Sequence, residues 1–169
     1  RHRRASGMGA ALARDAPPLV QTLYSTLRGT TLEVALAGLD GAGKTTMTSA
    51  LQEPGFAPRP APPTIGLVVQ RARHNGIGLT LWDLGGHLRF RDDWGRHVRG
   101  CGALVFIVDV SSAERHAEAR EALQRLLEQN AGIKKLSLLV IASKVDLLPA
   151  TERAREELLG WPALVDALG

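Results

Sequence analysis

The chain has 169 residues, enough for one domain with a substantial core but too few for two. A hydrophobic content of 44% excludes a disordered chain, and the single cysteine, Cys101, excludes an internal disulfide and favours a reducing compartment. The net charge of +4 suits an acidic membrane surface or nucleic acid, but no base-stacking pattern of interleaved aromatic residues accompanies it. We therefore expect no nucleic-acid partner.

Residues 1–30 form a basic N-terminal extension. Residues 1–14 contain four arginines and no acidic residue, which fits added sequence, a basic arm or the remnant of an Arg-rich organellar transit peptide. If Met8 is the true start, Gly9 becomes an N-terminal glycine, and myristoylation is conceivable although the motif is incomplete. Residues 15–29 predict a short amphipathic helix, whose apolar face packs on its own domain or contacts a membrane or partner.

A complete phosphate-loop motif, G-x-x-x-x-G-K-[ST], runs from Gly38 to Thr45. It follows a predicted strand at 32–37 and precedes a helix predicted from Lys44 to about Gln52. Glycines let the backbone approach phosphate oxygens, and the helix N-terminus adds partial positive charge. We expect Lys44 to reach the β- and γ-phosphates and Thr45 to bind Mg²⁺, the alternative being a glycine-rich turn. The residues expected around the phosphates are Asp40, Gly41, Ala42, Gly43, Lys44, Thr45 and Thr46.

The next segment is a proline-rich loop followed by a hairpin. Residues 54–63 hold five prolines, so they form neither helix nor central strand, and the loop is either functional or disordered. Residues 67–73 and 79–83 predict two strands, joined by Asn75-Gly76, which is a hairpin signal.

The second half alternates strands and helices. Apolar runs at 104–108 and 136–142 predict buried parallel strands. A capping box of Ser111 and Glu114 predicts the start of a helix that runs to about Gln129. A further helix is predicted at 151–160. The pattern predicts an α/β fold, a mostly parallel sheet with one antiparallel edge hairpin and helices on both faces.

Two further motifs follow predicted strands. Asp83 stands at a strand end opposite the phosphate loop, where a carboxylate can hold Mg²⁺, often through water. Gly86 would let a backbone N–H meet the γ-phosphate, although an Asp-x-x-Gly sequence alone is common in turns. In Ser143-Lys144-Val145-Asp146, the Asp146 carboxylate can accept two hydrogen bonds from guanine, and the Lys144 stem can lie along the base. A simple Lys-x-Asp turn is the alternative.

Together these segments resemble the small GTPases of the Arf and Arf-like family, over residues 19–160. The motifs that carry the resemblance are the phosphate loop through Thr46, Pro63-Thr64-Ile65-Gly66, Trp82-Asp83-Leu84-Gly85-Gly86 and Ser143-Lys144-Val145-Asp146. The resemblance implies a P-loop NTPase fold that binds GTP or GDP with Mg²⁺. It implies that Thr64 is the switch I threonine that senses Mg²⁺ and the γ-phosphate. It also implies that residues 83–97 are switch II and that residues 67–82 are an interswitch that can slide in register.

Two site residues depart from the family pattern. His87 stands where the family usually carries the glutamine that orients the attacking water, so we expect slow hydrolysis, with His87, Thr64 and Gly86 as the catalytic set. Ser143 replaces an asparagine, so we expect part of the bridge between base loop and phosphate loop to be lost, with guanine preference kept through Asp146. No arginine of the phosphate loop or switches is obviously placed as a finger, so a partner would supply it.

The resemblance also implies partners. Leu67, Trp82 and His97 occupy an effector patch in which only Trp82 keeps the usual aromatic residue, and residues 15–29 would contact a membrane or partner. Family members continue into one more strand and a terminal helix, which residues 31–169 are expected to lack. Two functions fit: a GTP/GDP switch in the cytoplasm, peripheral at membranes, or a non-hydrolysing GTP-binding subunit of a larger assembly, for which a mitochondrial location fits.

Overall fold

The computed structural model describes residues 30–53, 55–57, 59, 61–74, 77–130, 132–133 and 136–148. Within them, the strands are β1 (Thr31–Ala37), β2 (Leu67–His74), β3 (Ile77–Leu84), β4 (Ala103–Asp109) and β5 (Ser137–Ser143). The helices are α1 (Lys44–Gln52), α2 (Leu88–Arg91), α3 (Trp94–Val98) and α4 (His116–Glu128). Short 3₁₀ turns cover Ala113–Arg115 and Val145–Leu147. The helices predicted at 15–29 and 151–160, and the hairpin turn, lie outside the described residues.

The described strands form one sheet in the order β2-β3-β1-β4-β5. β1 is parallel to β3 and β4, β4 is parallel to β5, and the edge strand β2 is antiparallel to β3. This confirms the predicted fold class. Because β1, β3, β4 and β5 are parallel, their carboxyl ends meet at one edge, which is where ligands bind in open α/β sheets.

The two faces of the sheet are covered by different helices. Leu36, Val105 and Ile107 pack with the apolar side chains of α1. Their sequence neighbours Ala35, Leu104 and Phe106 point to the opposite face because side chains alternate along a strand. There they form a second cluster with α3 and α4, which contribute Trp94, Val98, Leu123 and Leu126. Continuous apolar runs in β1 and β4 are therefore required, since both faces are buried.

The predicted capping box of Ser111 and Glu114 is wrong. The Ser111 backbone N–H and hydroxyl both donate to Asp109 Oδ1, at 3.0 and 2.6 Å. A local carboxylate thus offers Ser111 a turn partner that competes with helix capping. The α-helix begins only at His116, after the 3₁₀ turn, and without a side-chain cap. Among the described helices, none combines the length and the apolar character needed to cross a membrane.

Candidate functional site

A cavity of about 320 Å³ lies at the carboxyl edge of the sheet. It is lined by Asp40, Gly41, Gly43, Lys44, Thr45, Thr46, Arg59, Ala61, Pro62, Pro63, Thr64, Gly86, His87 and Lys144. The phosphate loop, the proline-rich loop and the segment after β3 therefore share one space. Of the predicted site residues, Ala42, Asp83, Ser143 and Asp146 do not line it.

Lys44 begins α1 directly after Gly43, whose φ of 94° is a left-handed conformation that glycine adopts without strain. The Lys44 side chain is buried, and its ammonium donates to the carbonyls of Gly38 and Leu39 at 2.9 and 2.7 Å. Burial lowers the pKa of Lys44 to about 8, against the opposing effect of the Asp83 carboxylate. The loop thus holds one ammonium group at the wall of the cavity.

Thr45, Thr64 and Asp83 meet although they are far apart in sequence. The Thr45 hydroxyl lies 2.8 Å from the Thr64 hydroxyl and donates to Asp83 Oδ2 at 2.6 Å. The Thr64 hydroxyl donates to the same oxygen at 3.0 Å. Asp83 is 1% exposed, and its Oδ1 has no hydrogen-bond partner among the described residues. An unpartnered buried carboxylate oxygen beside two hydroxyls is costly unless a ligand satisfies it.

This donor set fits Mg²⁺, which prefers hard oxygen ligands and usually keeps water or substrate phosphate in its shell. Thr45, Thr64 and Asp83 are the predicted metal residues, and they would hold the ion. No cluster of three His, Cys, Asp or Glu side chains occurs in the part of the chain that is described. A metal here therefore depends on hydroxyl and phosphate oxygens as well.

Gly86 and His87 follow the end of β3 and line the same cavity as Lys44. A Cβ atom on Gly86 would collide with the backbone of Leu39 and Asp40, so only glycine allows this segment to approach the phosphate loop so closely. The Gly86 carbonyl accepts a hydrogen bond from Arg91 Nε at 2.9 Å. His87 is exposed and lines the cavity.

A network of four charged residues, which sequence reasoning missed, fixes the back of the phosphate loop. Arg115 donates to both the carbonyl and the carboxylate of Asp40, each at 2.9 Å, and to Glu118 at 3.1 Å. Arg91 donates to Glu118 at 2.7 Å and lies 3.7 Å from the Asp40 carboxylate. The hydrogen bond from Arg115 holds the pKa of Asp40 below its usual value. The only local signal was the i,i+3 spacing of Arg115 and Glu118.

The network ties three elements together. Asp40 belongs to the phosphate loop, Arg91 to α2 and Glu118 to α4. The Arg91 side chain is 11% exposed, so its bonds are less screened by water than those of a surface pair. Because Arg91 also holds the Gly86 carbonyl, switch II and the phosphate loop are coupled through one guanidinium.

At the base end, Ser143 contacts the phosphate loop, where we expected part of the bridge to be lost. Its hydroxyl lies 2.7 Å from the Ala42 carbonyl and 3.0 Å from the Val108 carbonyl. A hydroxyl has one hydrogen, so it donates to one of these at a time. The shorter serine still reaches because Ala42 lies close behind the end of β5.

Lys144 and Asp146 follow Ser143 in the turn after β5. Lys144 has a φ of 60°, the left-handed conformation that is uncommon outside glycine. Its ammonium pairs with Asp109 Oδ2 at 2.6 Å, and the side-chain stem lines the cavity. Asp146 is exposed in the 3₁₀ turn. Its carboxylate makes no hydrogen bond or ion pair with another described residue, which leaves the oxygens open to a ligand.

The predicted effector patch consists of Leu67, Trp82 and His97, which are partly buried. Trp82 and His97 lie together, with ring centroids 6.5 Å apart, and Trp82 Nε1 donates to Glu33 at 2.6 Å. Leu67 and Trp82 are both partly buried against the core. The more exposed apolar side chains in this region are Ile65, Val69 and Leu88.

Arg59 is a further residue that sequence reasoning missed. It belongs to the proline-rich loop and lines the same cavity as Lys44 and His87. We expected no arginine of the phosphate loop or switches to be obviously placed as a finger, and the structure adds that Arg59 lines this cavity. The position gave no signal because nothing in a run of Pro, Ala and Arg reveals which way the loop faces.

The fold and the cavity define a P-loop small GTPase. A sequence model described as the ADP-ribosylation factor (Arf) family matches residues 20–165. ADP-ribosylation factor-like protein 8c of Arabidopsis thaliana is 32% identical over 138 residues, covering 82% of this chain and 70% of that protein. ADP-ribosylation factor-like protein 8b of the same plant is 30% identical over 136 residues, with 80% and 73% covered.

Structure comparison agrees. The Arl6 BBS3 small GTPase from Trypanosoma brucei, solved with the bound nucleotide analogue GppNp, matches with a TM-score of 0.65 and 25% identity, and 80% of each chain is covered. The chain belongs to the Arf family of small GTPases, as an Arf-like GTP-binding switch protein. The predicted family is therefore confirmed.

Proposed function

We propose that the protein is a Mg²⁺-dependent GTP/GDP switch with slow intrinsic hydrolysis. The observation that carries this is the meeting of Thr45, Thr64 and Asp83 within 3.0 Å of one another. A switch requires a mobile loop whose order depends on the same ion and phosphate that the phosphate loop binds. Thr64 brings the proline-rich loop to this point. Loss of the γ-phosphate would remove a ligand contact of the loop and leave only the hydrogen bond from Thr64 to Asp83.

The proposed chemistry divides among this chain's own groups. Lys44 binds β- and γ-phosphate oxygens, and the Gly86 N–H meets the γ-phosphate. Bound Mg²⁺ supplies positive charge that neutralises the β- and γ-oxygens. Asp146 accepts from guanine while Lys144 flanks the base. The exposed position of Asp146 supports this role, since its carboxylate pairs with no other residue in the part of the chain that the structure describes.

Slow hydrolysis follows from the chemistry of His87. A glutamine amide carries a donor and an acceptor at the same end of the side chain, so it can hold a water from both sides. A neutral imidazole carries them on opposite sides of the ring, so one nitrogen at most faces the water. His87 lines the cavity proposed for the γ-phosphate, but it would orient the attacking water less well than a glutamine would.

His87→Gln tests this reasoning. We expect single-turnover hydrolysis of GTP to rise about tenfold, because water orientation is a large part of this catalysis. His97→Gln is the matched control, since His97 contacts Trp82 and does not line the cavity. A fall in the rate of His87→Gln would mean that the histidine is itself the working residue.

Partners and location form a second part of the proposal. We propose that the exposed Ile65, Val69 and Leu88, beside Leu67, Trp82 and His97, contact an effector. Residues 15–29 would bring the protein to a membrane surface in the cytoplasm, where the net charge of +4 favours anionic lipid. Deleting residues 1–29 should reduce sedimentation with anionic liposomes; unaltered binding would remove the membrane role.

The nucleotide in purified protein, with its turnover in Mg²⁺ and in EDTA, tests the function. We expect bound GDP and Mg²⁺-dependent turnover slower than about 10⁻³ s⁻¹. Bound GTP that is neither hydrolysed nor exchanged would contradict the switch. That result would support the alternative, a GTP-holding subunit of a larger, mitochondrial assembly. The replacement of the catalytic glutamine by His87 is the observation that favours this alternative.

A further inference from the structure

Three cations line the cavity, and they differ in what holds them. Lys44 donates to two backbone carbonyls, and Lys144 pairs with Asp109 at 2.6 Å. Arg59 is exposed and makes no hydrogen bond or ion pair with another described residue. Among the lining cations of the described chain, Arg59 alone has its charge uncommitted.

Among the described residues, the carboxylates of Asp40 and Asp83 already have partners other than this cation. Asp40 also lines the cavity, but its carboxylate is already bound by Arg115 at 2.9 Å. Asp83 accepts from Thr45 and Thr64 and does not line the cavity. An uncommitted guanidinium facing a space built for phosphate matches the planar, bidentate geometry of phosphate oxygens.

The loop restricts where Arg59 can reach. Thr64 fixes its far end to Asp83 at 3.0 Å, and Pro62 and Pro63, which line the cavity, fix the backbone φ angles between. Prolines also lower the entropy lost when the loop is ordered. Arg59 lines the same cavity as Thr64, Gly86 and His87, the residues proposed to surround the γ-phosphate, and it belongs to the same loop as Thr64.

We infer that Arg59 binds the terminal phosphate of GTP, as an arginine supplied in cis by the switch I loop. The inference rests on the proposed function, and it adds a γ-phosphate ligand. In hydrolysis, the water oxygen bonds to the γ-phosphorus, the bond from phosphorus to the β–γ bridging oxygen breaks, and the proton of water passes to the released phosphate. Arg59 stabilises the charge on the γ-oxygens throughout.

Affinities of GppNp and GDP for wild type and Arg59→Ala test this assignment. We expect Arg59→Ala to weaken GppNp binding about 10- to 100-fold, the range of a charged hydrogen-bonded contact, and GDP binding less than about threefold. Arg59→Lys should lie between, because a lysine keeps the charge but not the fork. Arg73→Ala, an exposed arginine on β2 that does not line the cavity, should change neither affinity.

Different results would overturn the role of Arg59 and the proposed function. Equal affinities for wild type and Arg59→Ala, or equal losses for GppNp and GDP, would overturn the assignment of Arg59 to the terminal phosphate. Unchanged GDP binding by the variant shows that it is folded. If wild type binds neither nucleotide, the proposed function falls, and the inference falls with it.

Discussion

The two ends of the cavity are held by contacts of different kinds. At the phosphate end, side chains from three segments contact one another directly: Thr45 and Thr64 both donate to Asp83, and their hydroxyls lie 2.8 Å apart. At the base end, Ser143 and Lys144 are fixed by neighbours, but Asp146 is exposed in a short turn. Affinity should therefore come from the phosphate end, and base selectivity from a residue that becomes fixed on binding.

Lys44→Ala tests the phosphate end most severely. We expect guanine-nucleotide affinity to fall by about 1,000-fold or more, because the loop loses the buried ammonium that faces the phosphates. Fluorescent-nucleotide titration measures it, with Arg120→Ala on the exposed side of α4 as a control. Unchanged affinity would refute the assignment of the site.

Asp146→Asn tests the base end. The carboxylate that accepts two hydrogen bonds becomes an amide with one acceptor and one donor, so GTP affinity should fall about 10- to 100-fold. ATP affinity should not fall, so the GTP/ATP ratio shrinks by the same factor. Competition between the two nucleotides gives this ratio, and intact selectivity would show that Ser143-Lys144-Val145-Asp146 is only a turn.

Arg91→Ala tests whether the network behind the loop matters for the switch. Without Arg91, the Gly86 carbonyl and Glu118 lose a shared donor, so switch II should sit less firmly against the phosphate loop. We expect GppNp affinity to fall about 3- to 10-fold, since one hydrogen bond from a charged group is lost on each side. GDP affinity should fall less. Arg96→Ala, an exposed arginine of α3 paired with Asp93, is the matched control.

The pH dependence of binding is the smallest expected effect. Burial lowers the pKa of Lys44 to about 8 in the free protein, and phosphate charge in the complex should raise it again. Below pH 8 the amine is protonated in both states, so binding takes up no proton. Above pH 8 the Lys44 amine of the free protein is mostly deprotonated, so binding takes up a proton. Nucleotide affinity should therefore be about fourfold weaker at pH 8.5 than at pH 7.

Isothermal titration at pH 8.5, in buffers of different ionisation enthalpy, measures this uptake directly. We expect a net uptake of about 0.8 proton on GppNp binding at this pH. No uptake at pH 8.5 would contradict the lowered pKa of the amine in the free protein. The same titration at pH 6.5 serves as the control, where the uptake should vanish.

Local patterns predicted much of the fold. The strands, the helix after the phosphate loop and the antiparallel edge follow from apolar runs and from a motif whose context is fixed, and the structure has them within about two residues at each end. The capping box failed because Asp109, two residues before Ser111, offered a nearer acceptor. Local competition of that kind is invisible to a spacing rule.

The site was predictable only where a motif carried it. Lys44, Thr45 and Asp83 were predictable because their roles depend on backbone context that recurs. Arg91 and Arg115 reach Asp40 from separate elements, and Glu118 holds both arginines, so no single sequence spacing reveals the network. Arg59 depends on the path of a proline-rich loop. The contact of Ser143 with Ala42 could not be predicted, because it depends on how closely two segments approach that lie 101 residues apart in sequence.

The Mg²⁺ dependence of GppNp and GDP affinity, in wild type and Thr64→Ser and Thr64→Ala, tests the central claim most directly. If Thr45, Thr64 and Asp83 hold the ion, Mg²⁺ should strengthen wild-type GppNp binding at least tenfold, Thr64→Ser should keep most of this gain, and Thr64→Ala should lose it for GppNp but not for GDP. Equal Mg²⁺ gains for GppNp in wild type and Thr64→Ala would contradict the account.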